Sequence, residues 1–170
     1  MSHMYDRLTK GDIEKMEREI EERKLVLRPE LIEAVKEARA QGDLSENFEY
    51  YAAKREKNQN ESRIRYLERM VRTARIVEDE AREGEVSMNC PVEVYFPEDD
   101  ETETFRIVTT IRGNSLAGLI SIDSPLGKAL LHRRAGDTVH VPLDNGAGYD
   151  VIIRSVGEAA DEAEDTIRGF

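Results

Sequence analysis

The sequence predicts an α+β protein in two parts: an antiparallel α-helical coiled-coil hairpin over residues 5–78, then a small α+β domain over residues 87–157. Three observations predict it. Apolar residues recur every three or four positions in the first part and every second position in the second. The span from Ser45 to Val77 contains neither Gly nor Pro. At about 1.5 Å per residue it makes a helix of about 50 Å, longer than a small globular domain needs. Between the parts, Asp79-Glu80-Ala81-Arg82-Glu83-Gly84-Glu85 reads as a polar linker over residues 79–86.

The first helix is expected from Asp12 to about Gln41. Ile13, Met16 and Ile20 form one apolar set, and Leu27, Leu31, Ala34, Val35 and Ala38 form another. Pro29 lies between the sets and should bend or restart the helix, because it removes a donor and crowds the preceding turn. Gly42 stops it, and Asp43 or Ser45 is placed to cap the next helix, expected from about Ser45 to Val77. Ala53, Ile64, Leu67, Val71 and Ala74 give that helix one apolar face. Two long helices with a short connection form a hairpin, so residues 41–47 become its tip. Asn58, Gln59, Asn60 and Ser62 make the middle of the seam polar, which reads as a weaker or wetter contact.

In the second part, Val92, Val94 and Phe96 alternate with polar residues as a half-buried strand should, and so do Phe105, Ile107, Thr109 and Ile111. Asp99-Asp100 marks the turn between them. Ile120 to Ile122 is a third strand. Ser124-Pro125 starts a brief helix, with Ser as cap and Pro in the first turn, ending near His132. Residues 137–141 and 149–153 make a last pair, turning at Asn145-Gly146. The stretch 158–170 is acidic and Ala-rich, for which disorder is the expected state. At the other end, residues 1–4 (Met1-Ser2-His3-Met4) read as an expression-vector remnant, with the natural chain expected from Met4.

Composition limits the function. The net charge is −11, placed unevenly: 17 basic and 17 acidic residues up to Glu78, against 8 and 19 from Asp79 onward. The acidic half argues against sequence-independent wrapping of nucleic acid, which needs cations at many phosphates. Any nucleic-acid contact should come from the first half. No apolar run approaches the roughly 20 residues of a membrane span, so no membrane partner is expected. Cys90 is the one cysteine, excluding an intramolecular disulfide and offering no metal cluster; it reads as a core thiol and fits a reducing cytoplasm. A monomer is expected.

The segment Gly42-Asp43-Leu44-Ser45-Glu46-Asn47 carries the most chemistry. Asp43 and Glu46 are three apart and would share a face at the start of a helix. Capping and dipole complementation also account for such acids, and from the hexapeptide alone they are the better explanation. The hairpin tip shifts that balance, because it is the part of a rod that enters a narrow opening. Carboxylates there suit a hard cation such as Mg²⁺, but two do not fill its six-oxygen shell, so other ligands must come from water or a partner. A self-sufficient nuclease is therefore disfavoured. The span from Lys54 to Val77 holds eight Lys or Arg against three Glu. Lys54, Arg65, Arg69 and Arg72 fall in one stripe opposite the apolar face. A solvated face and an RNA-phosphate surface explain that stripe about equally. His132 and His140 lack metal-ligand spacing, and the glycines make no phosphate-binding loop.

The run from Glu37 to Lys54, Glu-Ala-Arg-Ala-Gln-Gly-Asp-Leu-Ser-Glu-Asn-Phe-Glu-Tyr-Tyr-Ala-Ala-Lys, resembles the signature of the bacterial Gre transcription elongation factors. The run from Ile120 to Leu131, Ile-Ser-Ile-Asp-Ser-Pro-Leu-Gly-Lys-Ala-Leu-Leu, is similar to the conserved segment of their C-terminal domain. Leu8-Thr9-Lys10-Gly11 and Arg28-Pro29-Glu30 also fit. The resemblance implies a coiled-coil hairpin that enters the secondary channel of RNA polymerase and an FKBP-like domain that docks on the channel rim. It implies that Asp43 and Glu46 help polymerase hydrolyse the backtracked RNA 3′ end, completing the ligand set of a Mg²⁺ ion held mainly by polymerase. Arg39 and Lys54 match basic positions used toward RNA or polymerase, and Asp123, Ser124 and Pro125 match the docking segment. Ser45 stands where Lys is frequent and Phe48 where a smaller residue is frequent.

Within that resemblance the factor reads as one that stimulates an activity of polymerase rather than as an enzyme, and as the A-type rather than the more basic B-type. The alternative is a regulator of the same fold that occupies the channel and inhibits polymerase without cleavage. Retention of both Asp43 and Glu46 favours cleavage.

Overall fold

A computed structural model describes residues 7–42, 47–78, 80–161 and 165–168. The chain divides into two units, one from Asp12 to Ala74 and one formed by the residues up to Gly11 together with those from Arg75 onward.

In the helical unit, α1 (Lys10–Glu22) passes through a π-helical turn, Arg23–Leu27, into α2 (Arg28–Arg39), and α3 (Phe48–Thr73) returns against α2. Pro29 explains the π turn. It has no N–H to give the carbonyl one turn back, and its ring needs room there. Widening the preceding turn supplies that room: the Arg28 N–H reaches back to the Arg23 carbonyl, and Pro29 sits in the first turn of α2. The helix thus restarts at the position the proline marks. Met16, Ala38, Ile64, Leu67 and Met70 are buried along the hairpin.

The polar middle of the seam is not the loose contact its composition suggests. Asn60 is buried; its amide oxygen accepts from the Arg23 guanidinium at 2.9 Å, and its nitrogen donates to the Arg23 carbonyl at 3.3 Å. It therefore partners the backbone that the π turn disturbs. Arg63, also buried, donates twice to Glu19, at 2.8 and 3.2 Å, and Arg23 donates to the same carboxylate at 2.8 Å. Arg28 forks onto Glu61 at 2.7 and 2.9 Å. Such a network admits one register, because sliding the helices by a turn strands a buried guanidinium.

This network gives the hairpin a pH signature. Burial pushes the Glu19 carboxyl up, but hydrogen bonds and charge from Arg63 and Arg23 outweigh it and hold the group below its ordinary 4.5. The fork from Arg28 lowers Glu61 in the same direction. A carboxylate depressed in the folded state stabilises it above the ordinary value, and that contribution disappears as pH falls through the folded value. Glu19→Gln is therefore expected to melt below wild type at pH 7, with the gap closing as pH drops below 4.5. Thermal melts across that range check it, and a gap independent of pH would contradict the pairing.

In the second unit, β1 (Arg7–Leu8) pairs in parallel with β2 (Arg75–Ile76). A five-stranded sheet follows in the order β5-β4-β3-β7-β6, from β3 (Pro91–Phe96), β4 (Glu101–Val108), β5 (Leu119–Ser121), β6 (Thr138–Pro142) and β7 (Gly148–Val156). Only the β4–β5 pairing is parallel among these. The alternation read from the sequence sets its buried face: Val92, Val94, Val139, Val141, Val151 and Ile153 pack with Ile107, Ile122 and Leu130, the last from α4 (Pro125–Leu130). The strand expected to run through Ile111 stops at Val108. Thr110–Arg112 forms a 3₁₀ turn instead, closed by the Arg112 N–H on the Thr109 carbonyl at 2.9 Å. Ile111 is buried all the same.

In the stretch after residue 157, for which disorder is expected, residues 158–161 and 165–168 are described and make backbone contacts to the second unit. The Gly157 and Ala160 amides donate to the Pro91 and Asn89 carbonyls, both at 2.8 Å, and the Arg168 amide donates to the Ile111 carbonyl at 2.9 Å. An acidic composition is compatible with order here because an arginine pair receives one of the acids.

Candidate functional site

The tip is approached by α2 and left by α3. Asp43 and Glu46 lie outside the described residues, together with Leu44 and Ser45. Their surroundings are described. Gly42 has φ +124 with open space where a side chain would stand, a conformation that suits glycine. The cap expected at Asp43 or Ser45 falls on Asn47 instead. Its side-chain oxygen accepts from the Tyr50 amide at 3.0 Å, and its nitrogen donates to the Ala38 carbonyl at 2.6 Å. One asparagine thus caps α3 and ties it to α2. Both acids precede that cap in the chain, and the helix-face pairing expected from their i, i+3 spacing lies outside the described residues. The bland capping role is taken by another residue.

Arg39 and Lys54, the basic residues expected near the tip, meet around Tyr50. The Arg39 guanidinium lies 5.7 Å from the Tyr50 ring centre. A hydrogen bond from Arg39, with the charges of Lys54 and Arg39, lowers the Tyr50 hydroxyl from its ordinary value against the effect of burial. Tyr51 packs edge-on against Tyr50 at 5.4 Å, and Phe48 is 86 % exposed. Sequence reasoning missed this aromatic group, although three aromatics within four residues after the loop were there to be read.

The expected stripe, Lys54, Arg65, Arg69 and Arg72, is exposed along α3. Arg65 donates to the Ser62 hydroxyl at 3.0 Å, and Arg69 lies 5.7 Å from the Tyr66 ring centre. Arg63 takes no part in it, being turned into the hairpin seam on Glu19.

In the second unit, Asp123, Ser124 and Pro125 form the entrance to α4. Ser124 caps it: its hydroxyl accepts from the Gly127 amide at 3.0 Å and donates to the Ser121 carbonyl at 2.6 Å. Pro125 occupies the first turn, where no N–H is needed. Asp123 holds the entrance from the side, accepting from Arg7 at 2.8 Å and from the Thr110 hydroxyl at 2.7 Å. Asp123 therefore shapes the segment, while Ser124 and Pro125 form its turn into α4. No sequence signal pairs Arg7 with Asp123, 116 positions apart.

Comparison with known proteins decides the family. Residues 7–76 match the sequence profile described as "Transcription elongation factor, N-terminal", and residues 81–157 match "Transcription elongation factor, GreA/GreB, C-term". The chain belongs to the GreA/GreB family of transcription elongation factors. Transcription elongation factor GreA of Staphylococcus saprophyticus is 40 % identical over 149 residues, 88 % of this chain and 94 % of that protein. The GreA of Staphylococcus aureus strain Newman is 42 % identical over the same shares. These names agree with the A-type reading. Among solved structures, GreA factor homolog 1 of Thermus thermophilus is 28 % identical with a TM-score of 0.40, covering 89 % of this chain and 98 % of its own. Within the family, this chain is a transcription elongation factor of the GreA/GreB type, and none of its described helices is long and apolar enough to cross a membrane.

Proposed function

We propose that this chain acts on bacterial RNA polymerase in the cytoplasm, docking through the entrance to α4 and inserting the hairpin into the secondary channel. There it stimulates hydrolysis of the backtracked RNA 3′ end and returns arrested complexes to elongation. The observation that carries this reading is the pair Asp43 and Glu46, both kept between two antiparallel helices in a chain of this family.

Among the described residues no cluster of three or more His, Cys, Asp or Glu is placed to hold a metal ion. Two tip carboxylates fit a shared site, adding oxygens to a Mg²⁺ ion held mainly by polymerase. When bound, that ion supplies Lewis acidity and an activated water for phosphodiester cleavage. Asp43 and Glu46 would supply carboxylate oxygens to that ion and a hydrogen-bond acceptor for the water. Arg39 and Lys54, gathered around Tyr50, offer positive charge to the RNA phosphates beside the scissile bond, and Arg65, Arg69 and Arg72 continue that charge along the rod. Asn47 joins the start of α3 to the end of α2.

The test is RNA release from stalled, backtracked elongation complexes in Mg²⁺. Short 3′ fragments that appear only with the factor support the reading. Occupation of the channel with no fragments would make the chain an inhibitor built on the same fold.

A further inference from the structure

The segment 165–168 occupies a built site. The Asp165 carboxylate sits between two guanidinium groups: Arg112 donates to one oxygen at 2.8 Å and Arg106 donates to the other. The Arg112 side chain is 0 % exposed, Asp165 8 % and Arg106 14 %. Asn89 and Thr109 accept further bonds from Arg112, at 3.0 and 3.3 Å, so the receiving arginine is held in place independently of the acid. Burial raises the Asp165 carboxyl, and the two arginines more than reverse it, keeping the group ionised. Three residues further on, the Arg168 amide closes onto the Ile111 carbonyl.

The position of this segment matters as much as its anchor. Thr166 and Arg168 line a cavity of about 700 Å³ whose other walls include Ser121, Ser124, Pro125 and Leu116. Leu116 is fully exposed, an apolar side chain presented at a place where a partner would cover it. The chain's own segment and the entrance to α4 therefore share one concavity.

We propose that residues 165–168 are an intramolecular ligand: Asp165 fills a two-arginine carboxylate site and seats Thr166 to Arg168 in the cavity beside Ser124 and Pro125, so that the segment must leave before polymerase docks there. This rests on the docking role given to Asp123–Pro125 above. A partner that binds only the open form has its apparent affinity reduced by the open fraction, so a segment seated in about nine molecules of ten lowers affinity about tenfold.

Two full-length variants test this. Asp165→Ala removes the anchor. Arg168→Pro removes the amide that donates to Ile111 but leaves the buried arginines their counter-ion, which covers the case in which the first variant disturbs the fold. Hydrogen exchange of the peptide containing residues 165–168, read by mass spectrometry, reports seating, and titration onto core polymerase reports docking. Faster exchange with about tenfold tighter binding is expected for both. Faster exchange with unchanged or weaker binding overturns the gate and leaves the segment a structural staple. Unchanged exchange in both variants overturns the intramolecular ligand. Failure of wild type and variants alike to bind polymerase sinks the docking reading, and the gate with it.

Discussion

Replacing Asp43 and Glu46 together by alanine is expected to abolish stimulated RNA cleavage, a loss on the order of 10²- to 10³-fold, the scale of removing a charge-stabilising group from an active site. Polymerase affinity should stay within about twofold of wild type, because surface substitutions away from a contact face cost little. The two effects separate because the acids and the α4 entrance belong to different units of the chain. Single substitutions should each approach the double, since an incomplete ligand set fails as a unit. The measurement is the rate of fragment release at saturating factor, beside competition for the polymerase channel by the same proteins. Equal loss of cleavage and competition would mean that the tip binds rather than assists, and undiminished cleavage would remove the acids from the chemistry.

That prediction rests on the part of the molecule most legible from the amino-acid sequence. The hairpin announced itself through the helical spacing of Ile64, Leu67 and Val71 and the absence of Gly and Pro, because both are properties of neighbouring positions. The strands around Val92, Val94, Val139 and Val141 were readable for the same reason, since alternation places one set of side chains inside. What escaped was either tertiary or a choice between equivalent residues. Asp43, Ser45 and Asn47 all have cap chemistry, and the register of α3 selects Asn47. The polar run around Asn60 looked weak in isolation. Its partners, Arg23 and the π turn before Pro29, lie 37 positions away in the chain. Arg63 was assigned to no face by its charge alone, yet Glu19 draws it inward. The stretch around Asp165 read as disordered because composition counts acids without seeing Arg106 and Arg112, which neutralise one of them.

Gly127→Ala should destabilise the second unit and weaken polymerase binding by at least about tenfold, the loss that corresponds to roughly 1.4 kcal/mol. The sign is the informative part. In an exposed helix, Gly to Ala stabilises by about 1 kcal/mol, because alanine loses less backbone freedom on folding. At Gly127 a Cβ would stand 2.1 Å from the Ser121 carbonyl oxygen and 2.9 Å from the Ser124 hydroxyl. Ser121 cannot yield easily. It is paired with Val108 in the sheet, and its carbonyl accepts from both the Ser124 amide and the Ser124 hydroxyl. The added methyl must therefore push α4 away from β5, opening the Ser124 cap and loosening Pro125 and Asp123 with it. Overpacking of this kind typically costs about 1–3 kcal/mol, enough to reverse the propensity gain. Because the tip is untouched, cleavage at saturating factor should recover, so the defect appears as a higher factor requirement rather than a lower maximal rate. Thermal melting and a factor titration in the cleavage assay measure both parts. A variant that melts higher than wild type would show that the close approach of α4 to Ser121 is relieved without strain, and a lowered maximal rate at unchanged affinity would move the role of this segment from docking to catalysis.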